Sequence, residues 1–261
     1  MKNYQKELDF AKKIALKAGK IILKNFLHSK IAIKSNWSPV TETDFAVSKM
    51  VIQEVKKSFP NHEVLDEELQ NKKKDAEYLW VCDPVDGTIP FSHNVPTCAF
   101  SLALCRNGKP VVGVIYDPFM KRLLYTTENY PSYLNGKVIN VKKEKLKIGD
   151  NIFGIPYWNE KFNANKYFEL LFAKKIRPTY VESIVYQCML VATGVTKVTV
   201  SIPAMPWDRA AAIIIVENAG GLVTNEAGKK VTPFGNYEYM IASNGTVHEE
   251  ILNIVKQCLK K

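Results

Sequence analysis

Two aspartates three residues apart close an apolar run. Tyr78 to Thr88 reads YLWVCDPVDGT, with Asp83 and Asp86 behind Leu79-Trp80-Val81-Cys82. Carboxylates buried beside such a run are costly unless they are paired. Two of them about 4 Å apart repel by roughly 4 kcal/mol at an effective dielectric near 20. A shared proton relieves that repulsion, and so does a divalent cation between the two. More acids stand where one element gives way to the next: Asp66, Glu67 and Glu68 after Val64-Leu65, Asp44 at the end of VTETD, and Asp208 in PWDRAAA. The four histidines (His28, His62, His93, His248) are far apart and form no H-x-x-x-H pair, which argues against zinc. Oxygen-only ligands favour Mg²⁺, with Mn²⁺ as a substitute. Metal, rather than salt bridges, is then expected to hold Asp83 and Asp86 in place.

The residues between and behind the two aspartates suit the same chemistry. A strand ending at Asp83 would project its carboxylate beyond the sheet, and Pro84 fixes the local backbone and removes a donor. Gly87 allows a tight turn and close approach of an anion to the backbone. Thr88 adds a hydroxyl beside amides that are well placed to bind phosphate. Plainer roles exist for some of these acids taken singly. Asp208 before an Ala-rich helix can be an N-cap, Asp44 a first-turn helix acid, and the Asp66-Glu67-Glu68 run ordinary surface. The six specified positions of D-P-V-D-G-T after an apolar strand outweigh those readings.

The elements that must position these groups follow from periodicity. Residues 5–26 carry Leu8, Ala11, Ile14, Ala15, Ala18, Ile21, Ile22 and Phe26 at helical spacing. A second helix follows SPVTETD, with Phe45, Val51, Val55 and Phe59 on one side and Pro60 at its end. AFSLALC, PVVGVIYDP and RLLYTT are β-rich runs divided by Asn107-Gly108 and Pro118, and SYLNGKVINV predicts another hairpin at Asn135-Gly136. After about residue 145, strands at NIFGIP, KVTVSI, GLVTNEAG and YMIASN alternate with helices at NANKYFELLFAKK, SIVYQCMLVATG, WDRAAAIIIVENAGG and 246–259. The chain thus reads as one mixed α/β domain over 1–261, with an α+β half to about 145 and an α/β half over 146–261.

Bulk properties set the remaining bounds. The 261 residues are 46% hydrophobic and 24% charged, an ordinary globular composition. No apolar stretch approaches the roughly 18 to 20 residues of a membrane span, and the N-terminus reads as a first helix without a leader, so a cytoplasmic location is expected. The five cysteines are odd in number, form no C-x-x-C pair and sit mostly in apolar runs, which predicts reduced core thiols. An excess of 36 basic over 26 acidic residues gives a net charge of +10, much of it as lysine in NKKKD, VKKEKLK and at Lys260-Lys261. Such runs read as solvated surface; attraction of anionic substrates or of nucleic acid is the functional alternative.

The ordered set LDEE, WVCDPVDGT and PWDRAAAIIIVENAGG resembles the inositol monophosphatase-like, lithium-sensitive, magnesium-dependent phosphatases, with SPVTETD, YLNGKVINV and MLVATG also similar. The resemblance covers residues 5–258. It implies a layered αβαβα sandwich of the inositol monophosphatase / fructose-1,6-bisphosphatase type, commonly a homodimer. Glu67, Asp83 and the Val85 carbonyl would bind a first Mg²⁺; Asp83, Asp86 and Asp208 a second; and Glu67 with waters a third. Asp44 and Thr88 would orient and activate the attacking water, with Glu67 also in the catalytic set. Gly87, Thr88, Ser183 and Asp208 would contact phosphate or substrate. Li⁺ would inhibit.

Three positions depart from the family pattern. Asp66 stands where a Gly is usual before the acidic pair. Ser201 stands where inositol-specific members carry a Glu, six residues before the Trp of W-D. IPFSHNVPT differs from the common T-N-F-x-H-x-x-P loop, though Phe91, His93 and Pro96 keep its outline. The expected substrate is therefore a small phosphomonoester such as inositol 1-phosphate, histidinol phosphate or a related polyol or sugar phosphate. One alternative is a 3′(2′),5′-bisphosphate nucleotidase, with Arg209 or Arg177 clamping a second phosphate. The other is a non-catalytic RNA or transcription-complex binding module. Asp86→Asn is expected to abolish turnover and leave the metal-free fold intact or more stable.

Overall fold

The structure is a computed structural model that describes residues 4–35, 37–69, 76–154, 160–202 and 204–260. In chain order the first elements are α1 (Gln5–Asn25), β1 (Ile31–Ile33), β2 (Pro39–Thr41), α2 (Glu42–Ser58), β3 (Glu63–Asp66), β4 (Tyr78–Asp86) and α3 (Thr88–Ser92). A meander follows: β5 (Ala99–Arg106), β6 (Lys109–Asp117), β7 (Arg122–Thr127), β8 (Tyr133–Leu134) and β9 (Lys137–Val138). The remainder comprises β10 (Asn151–Phe153), α4 (Ala164–Ala173), β11 (Arg177–Thr179), α5 (Ile184–Ala192), β12 (Val198–Ser201), α6 (Pro206–Asn218), β13 (Leu222–Thr224), β14 (Met240–Ser243) and α7 (His248–Cys258).

β3 to β9 lie in sequence order in a seven-stranded sheet, antiparallel except for the parallel pair β3–β4. β10 to β14 form a five-stranded sheet in the order β11-β10-β12-β14-β13, and β1–β2 is a separate hairpin. Asn107 and Gly108 turn the β5–β6 hairpin with φ of 48° and 77°, the left-handed pair that Asn-Gly adopts readily.

Strand alternation builds the layers. On β4, Trp80 and Cys82 join α1 and α2 on one face, through Ile14, Ala18, Val47 and Val51. Leu79 and Val81 point the other way, into a core with Val185 and Met189 of α5 and Ile213 to Val216 of α6. That core also receives Val223, Met240 and Ala242 from the five-stranded sheet. The sheet's opposite face, through Ile152, Val198 and Val200, packs on Tyr167 and Leu171 of α4 and Ile251 and Val255 of α7. The result is the αβαβα sandwich. α5 and α6 are its middle layer, buried on two sides, which is why they read as nearly continuous apolar runs.

Several sequence expectations need correction. Phe45 is 42% exposed; the inward side of α2 is Thr43, Asp44, Val47, Ser48, Val51 and Val55. The NIFGIP strand is only Asn151–Phe153, and residues 155–156 lie outside those described. The lysine run NKKKD at 71–75, like Lys261, also lies outside the described residues. All five cysteines are free and buried. Among the described residues no helix is long and apolar enough to cross a membrane.

Candidate active site

A bulge brings the paired aspartates together. Asp83 faces Ser101 of β5 and Asp86 faces Ala99, so β4 covers in three steps what β5 covers in two. The extra residue bends the strand and re-aims its side chains. β4 thus runs on through Asp86 where the sequence suggested a stop at Asp83, with Pro84 inside the bulge, where a missing donor is tolerated. Asp208 comes from the first turn of α6, where its Oδ2 accepts the Met205 N–H at 2.6 Å. One carboxylate oxygen from each of Asp83, Asp86 and Asp208 lies within 4.8 Å of the others, and all three residues are buried.

No Lys or Arg among the described residues pairs with these three, yet the scaffold does hold Asp86. Asp86 Oδ2 accepts the Ser183 hydroxyl and the N–H groups of Val185 (2.8 Å) and Tyr186 (3.4 Å), while Oδ1 accepts from Ile184 (3.2 Å). The carboxylate sits on the N-terminus of α5, where the amides are unpaired and the helix dipole is positive. The sequence expectation set metal against salt bridges and did not foresee these hydrogen bonds from α5. Ser183, expected to touch substrate, spends its hydroxyl on Asp86 and accepts the Tyr186 N–H. Asp83 has less support: its Oδ1 accepts the Val85 N–H at 3.1 Å.

Electrostatics follow from crowding in a dry place. Burial raises Asp83 well above the usual carboxylate range, and the charges of Glu67, Asp86 and Asp208 add to it. Asp208 is likewise raised, first by burial and then by Asp86. Burial takes Asp86 to about 6 even though Ser183 and the α5 amides favour its ionised form. A set of converging, buried, oxygen-only donors that repel one another fits a hard divalent cation.

Asp44 and Thr88 form the second part of the site. Asp44 is the N3 residue of α2, and its Oδ2 accepts both the Thr41 N–H (2.9 Å) and the Thr41 hydroxyl (2.5 Å). The first-turn acid expected from the sequence is thus the N3 member of a capping box with Thr41. Its other oxygen, Oδ1, accepts the Thr88 hydroxyl at 3.2 Å, which also reaches the Val85 carbonyl at 3.1 Å. One side chain thus serves cap and site together, and burial pushes it up to about 6. Gly87 opens α3 with φ of 98°, and a Cβ there would lie 3.0 Å from Ser183 Cβ and 3.1 Å from the Thr97 carbonyl. Only glycine meets both conditions.

Glu67 turns toward the β1–β2 hairpin. Lys34 donates to Glu67 at 2.9 Å and to Glu68 at 2.6 Å. Burial lowers the Lys34 pKa, but the two carboxylates more than offset it and hold it above its ordinary value. Burial raises Glu68 to about 7 despite Lys34. Sequence reading missed Lys34; its signal was a lone lysine in the polar stretch before SPVTETD. Arg209, a candidate second-phosphate clamp, is instead structural: it donates to the carbonyls of Met205 (3.3 Å) and Gly235 (2.8 Å) and stacks over Tyr237. Arg177 lies on the edge strand β11. Beside Asp86 a cavity of about 310 Å³ is walled by Ile89, Val181, Ile184, Val200 and Ile202, with Ser201 among them. The Ser201 Oγ is buried without a partner.

A model of the inositol monophosphatase family matches residues 3–260. The chain belongs to the inositol monophosphatase family. A Thermotoga maritima protein named fructose-1,6-bisphosphatase/inositol-1-monophosphatase is 30% identical over 259 residues, covering 97% of this chain and 97% of its own. An Aquifex aeolicus protein of the same name is 31% identical over 270 residues, covering 100% and 99%. The solved structure of a Thermotoga maritima IMPase superposes with a TM-score of 0.89 at 30% identity, covering 97% of this chain and 98% of that one. Inositol monophosphatases are phosphoric monoester hydrolases that need metal, and this chain is an enzyme of that class. The buried acids of β4 and α6 form a cluster that could hold a metal ion.

Proposed function

We propose that the chain hydrolyses a small phosphomonoester with Mg²⁺ held by Glu67, Asp83, Asp86, Asp208 and the Val85 carbonyl. The observation that carries this reading is the convergence of three buried carboxylates with no paired cation among the described residues. When bound, the metal supplies a polarised water and charge stabilisation at the phosphate. The rest falls to the chain's own residues. The amides of Gly87 and Thr88 hold phosphate oxygens at the left-handed turn. The Thr88 hydroxyl orients the attacking water, and Asp44 Oδ1 accepts its proton through that hydroxyl; a carboxyl poised near 6 can accept and release a proton near neutral pH. Asp44 Oδ2 is already fixed by Thr41, which leaves Oδ1 as the accepting atom.

The leaving group would occupy the cavity walled by Ile89, Ile184 and Ile202. Among its described lining residues Asp86 and Glu182 are acidic and none is Lys or Arg, which disfavours a second phosphate, and the unpartnered hydroxyl of Ser201 supports a compact polyol or sugar phosphate over a nucleoside bisphosphate. Arg209, spent on backbone carbonyls, supports the same choice. The test is phosphate release from inositol 1-phosphate, histidinol phosphate, fructose 1,6-bisphosphate, 3′-phosphoadenosine 5′-phosphate and glycerol 2-phosphate, each with Mg²⁺ and with EDTA. Metal-dependent release from one compound above the rest is expected. No release from any would contradict the reading and bring forward the RNA-binding alternative.

A further inference from the structure

Asp66, the last residue of β3, has no part in the reaction above, yet it is completely buried. Its Oδ1 accepts the N–H groups of Glu68 (2.9 Å) and Leu69 (3.0 Å), closing a turn through its own side chain. The Glu67 N–H is bonded to the Cys82 carbonyl at 3.2 Å, one residue before Asp83. Every amide from Glu67 to Leu69 is thus tied down, one to the strand that carries Asp83 and two to Asp66. The carboxylate also meets the side chains of Ser48 on α2 and Cys82 on β4, which favour its ionised form against burial. Ser48 is itself buried and lies on α2 one turn beyond Asp44. A carboxylate buried this completely costs stability, which is a reason to look for what the residue does in return. Asp66 sits between the helix that carries Asp44 and the strand that carries Asp83, at the root of the acidic turn.

We propose that Asp66 is a positioning residue: its Oδ1 sets the turn that holds Glu67 and Glu68 against Lys34 and keeps Glu67 beside the acidic cluster. This rests on the reading of Glu67 as a metal ligand. The required feature is an acceptor at Oδ1, and charge is incidental. Asn keeps the acceptor, Ser keeps a weaker one, and Ala keeps none.

The test is Mn²⁺ binding by calorimetry and electron paramagnetic resonance on the purified full-length chain, with thermal unfolding in EDTA alongside. Asp66→Ala is expected to lose about 10- to 100-fold in Mn²⁺ affinity, Asp66→Ser less, and Asp66→Asn no more than about threefold. A purely structural residue would lower the melting temperature and leave the affinity of the folded fraction unchanged. Should Asp66→Ala not fold, Asp66→Ser against Asp66→Asn gives the same ordering. Wild-type affinity in folded Asp66→Ala or Asp66→Ser would overturn the proposal, and so would an equal loss in Asp66→Asn. A wild-type chain that binds no Mn²⁺ would overturn the metal reading itself.

Discussion

Two buried polar clusters sit at strand–helix junctions of this chain. The first is centred on His248 at the start of α7. Ser243 Oγ accepts the Gly245 N–H and bonds the ring at Nδ1 (2.8 Å); Nε2 meets Thr224 Oγ1 (2.7 Å), which donates to the Asn225 carbonyl. With Ser243 donating and Nε2 protonated, every partner is supplied from within the protein. Burial lowers the imidazole pKa and Glu249 opposes it only in part. The second cluster, Asp83, Asp86 and Asp208, puts three acids in one space with no neutralising Lys or Arg among the described residues. The first is complete as folded; the second is complete only with a charge from outside. Polar burial alone does not mark a functional site. Polar burial that the fold leaves uncompensated does.

The largest expected effect comes from breaking the second cluster. Asp208→Asn, which keeps an acceptor for the Met205 N–H, should reduce Mg²⁺-dependent phosphate release to background, read in a phosphate assay at saturating substrate. Next in size is Thr88→Ala, expected to lower kcat about 100-fold or more, the worth of a positioned proton acceptor. Its Mg²⁺ concentration for half-maximal rate should stay close to wild type; a large rise would make Thr88 a ligand.

A third prediction sharpens the contrast without mutation. Asp44 and Asp86 are raised from 3.8 to about 6, and Asp83 and Asp208 further. The folded chain therefore binds protons that the unfolded chain has released. The stability these groups contribute is complete below about pH 4 and is lost as pH rises through 6 and beyond. In EDTA the melting temperature should fall by about 5 °C or more between pH 5 and pH 8. Saturating Mg²⁺ should flatten that fall. The smallest effect concerns the complete cluster: His248→Ala should cost about 1–3 kcal/mol in chemical unfolding, while activity per folded molecule and Mg²⁺ response stay unchanged.

Much of this arrangement was legible in the sequence, and the reasons differ by region. Long periodic segments, α1, α6 and the β5–β7 meander with its Asn107-Gly108 turn, carry strong local signals. So do the acids, because D-P-V-D-G-T specifies local backbone and chemistry at once. The β1–β2 hairpin escaped notice: β1 is fully exposed, so it shows no alternation. Lys34 was missed with it. The hold of α5 on Asp86 joins residues 97 to 100 apart in sequence, and no local pattern records that contact. That contact also relocates one test. Asp86 accepts from four donors with both oxygens, so an amide there would turn a donor against α5. Asp83 accepts only the Val85 N–H among backbone donors, and the Oδ1 of an Asn can keep it.

Asp83→Asn is therefore the most direct probe of the claim that the acidic cluster is built for a cation at the expense of stability. The measurement is thermal unfolding of wild type and variant in EDTA and in Mg²⁺. The variant is expected to melt higher than wild type in EDTA, to gain little from Mg²⁺ and to release no phosphate. A variant that melts no higher in EDTA and still gains as much from Mg²⁺ as wild type would contradict that claim.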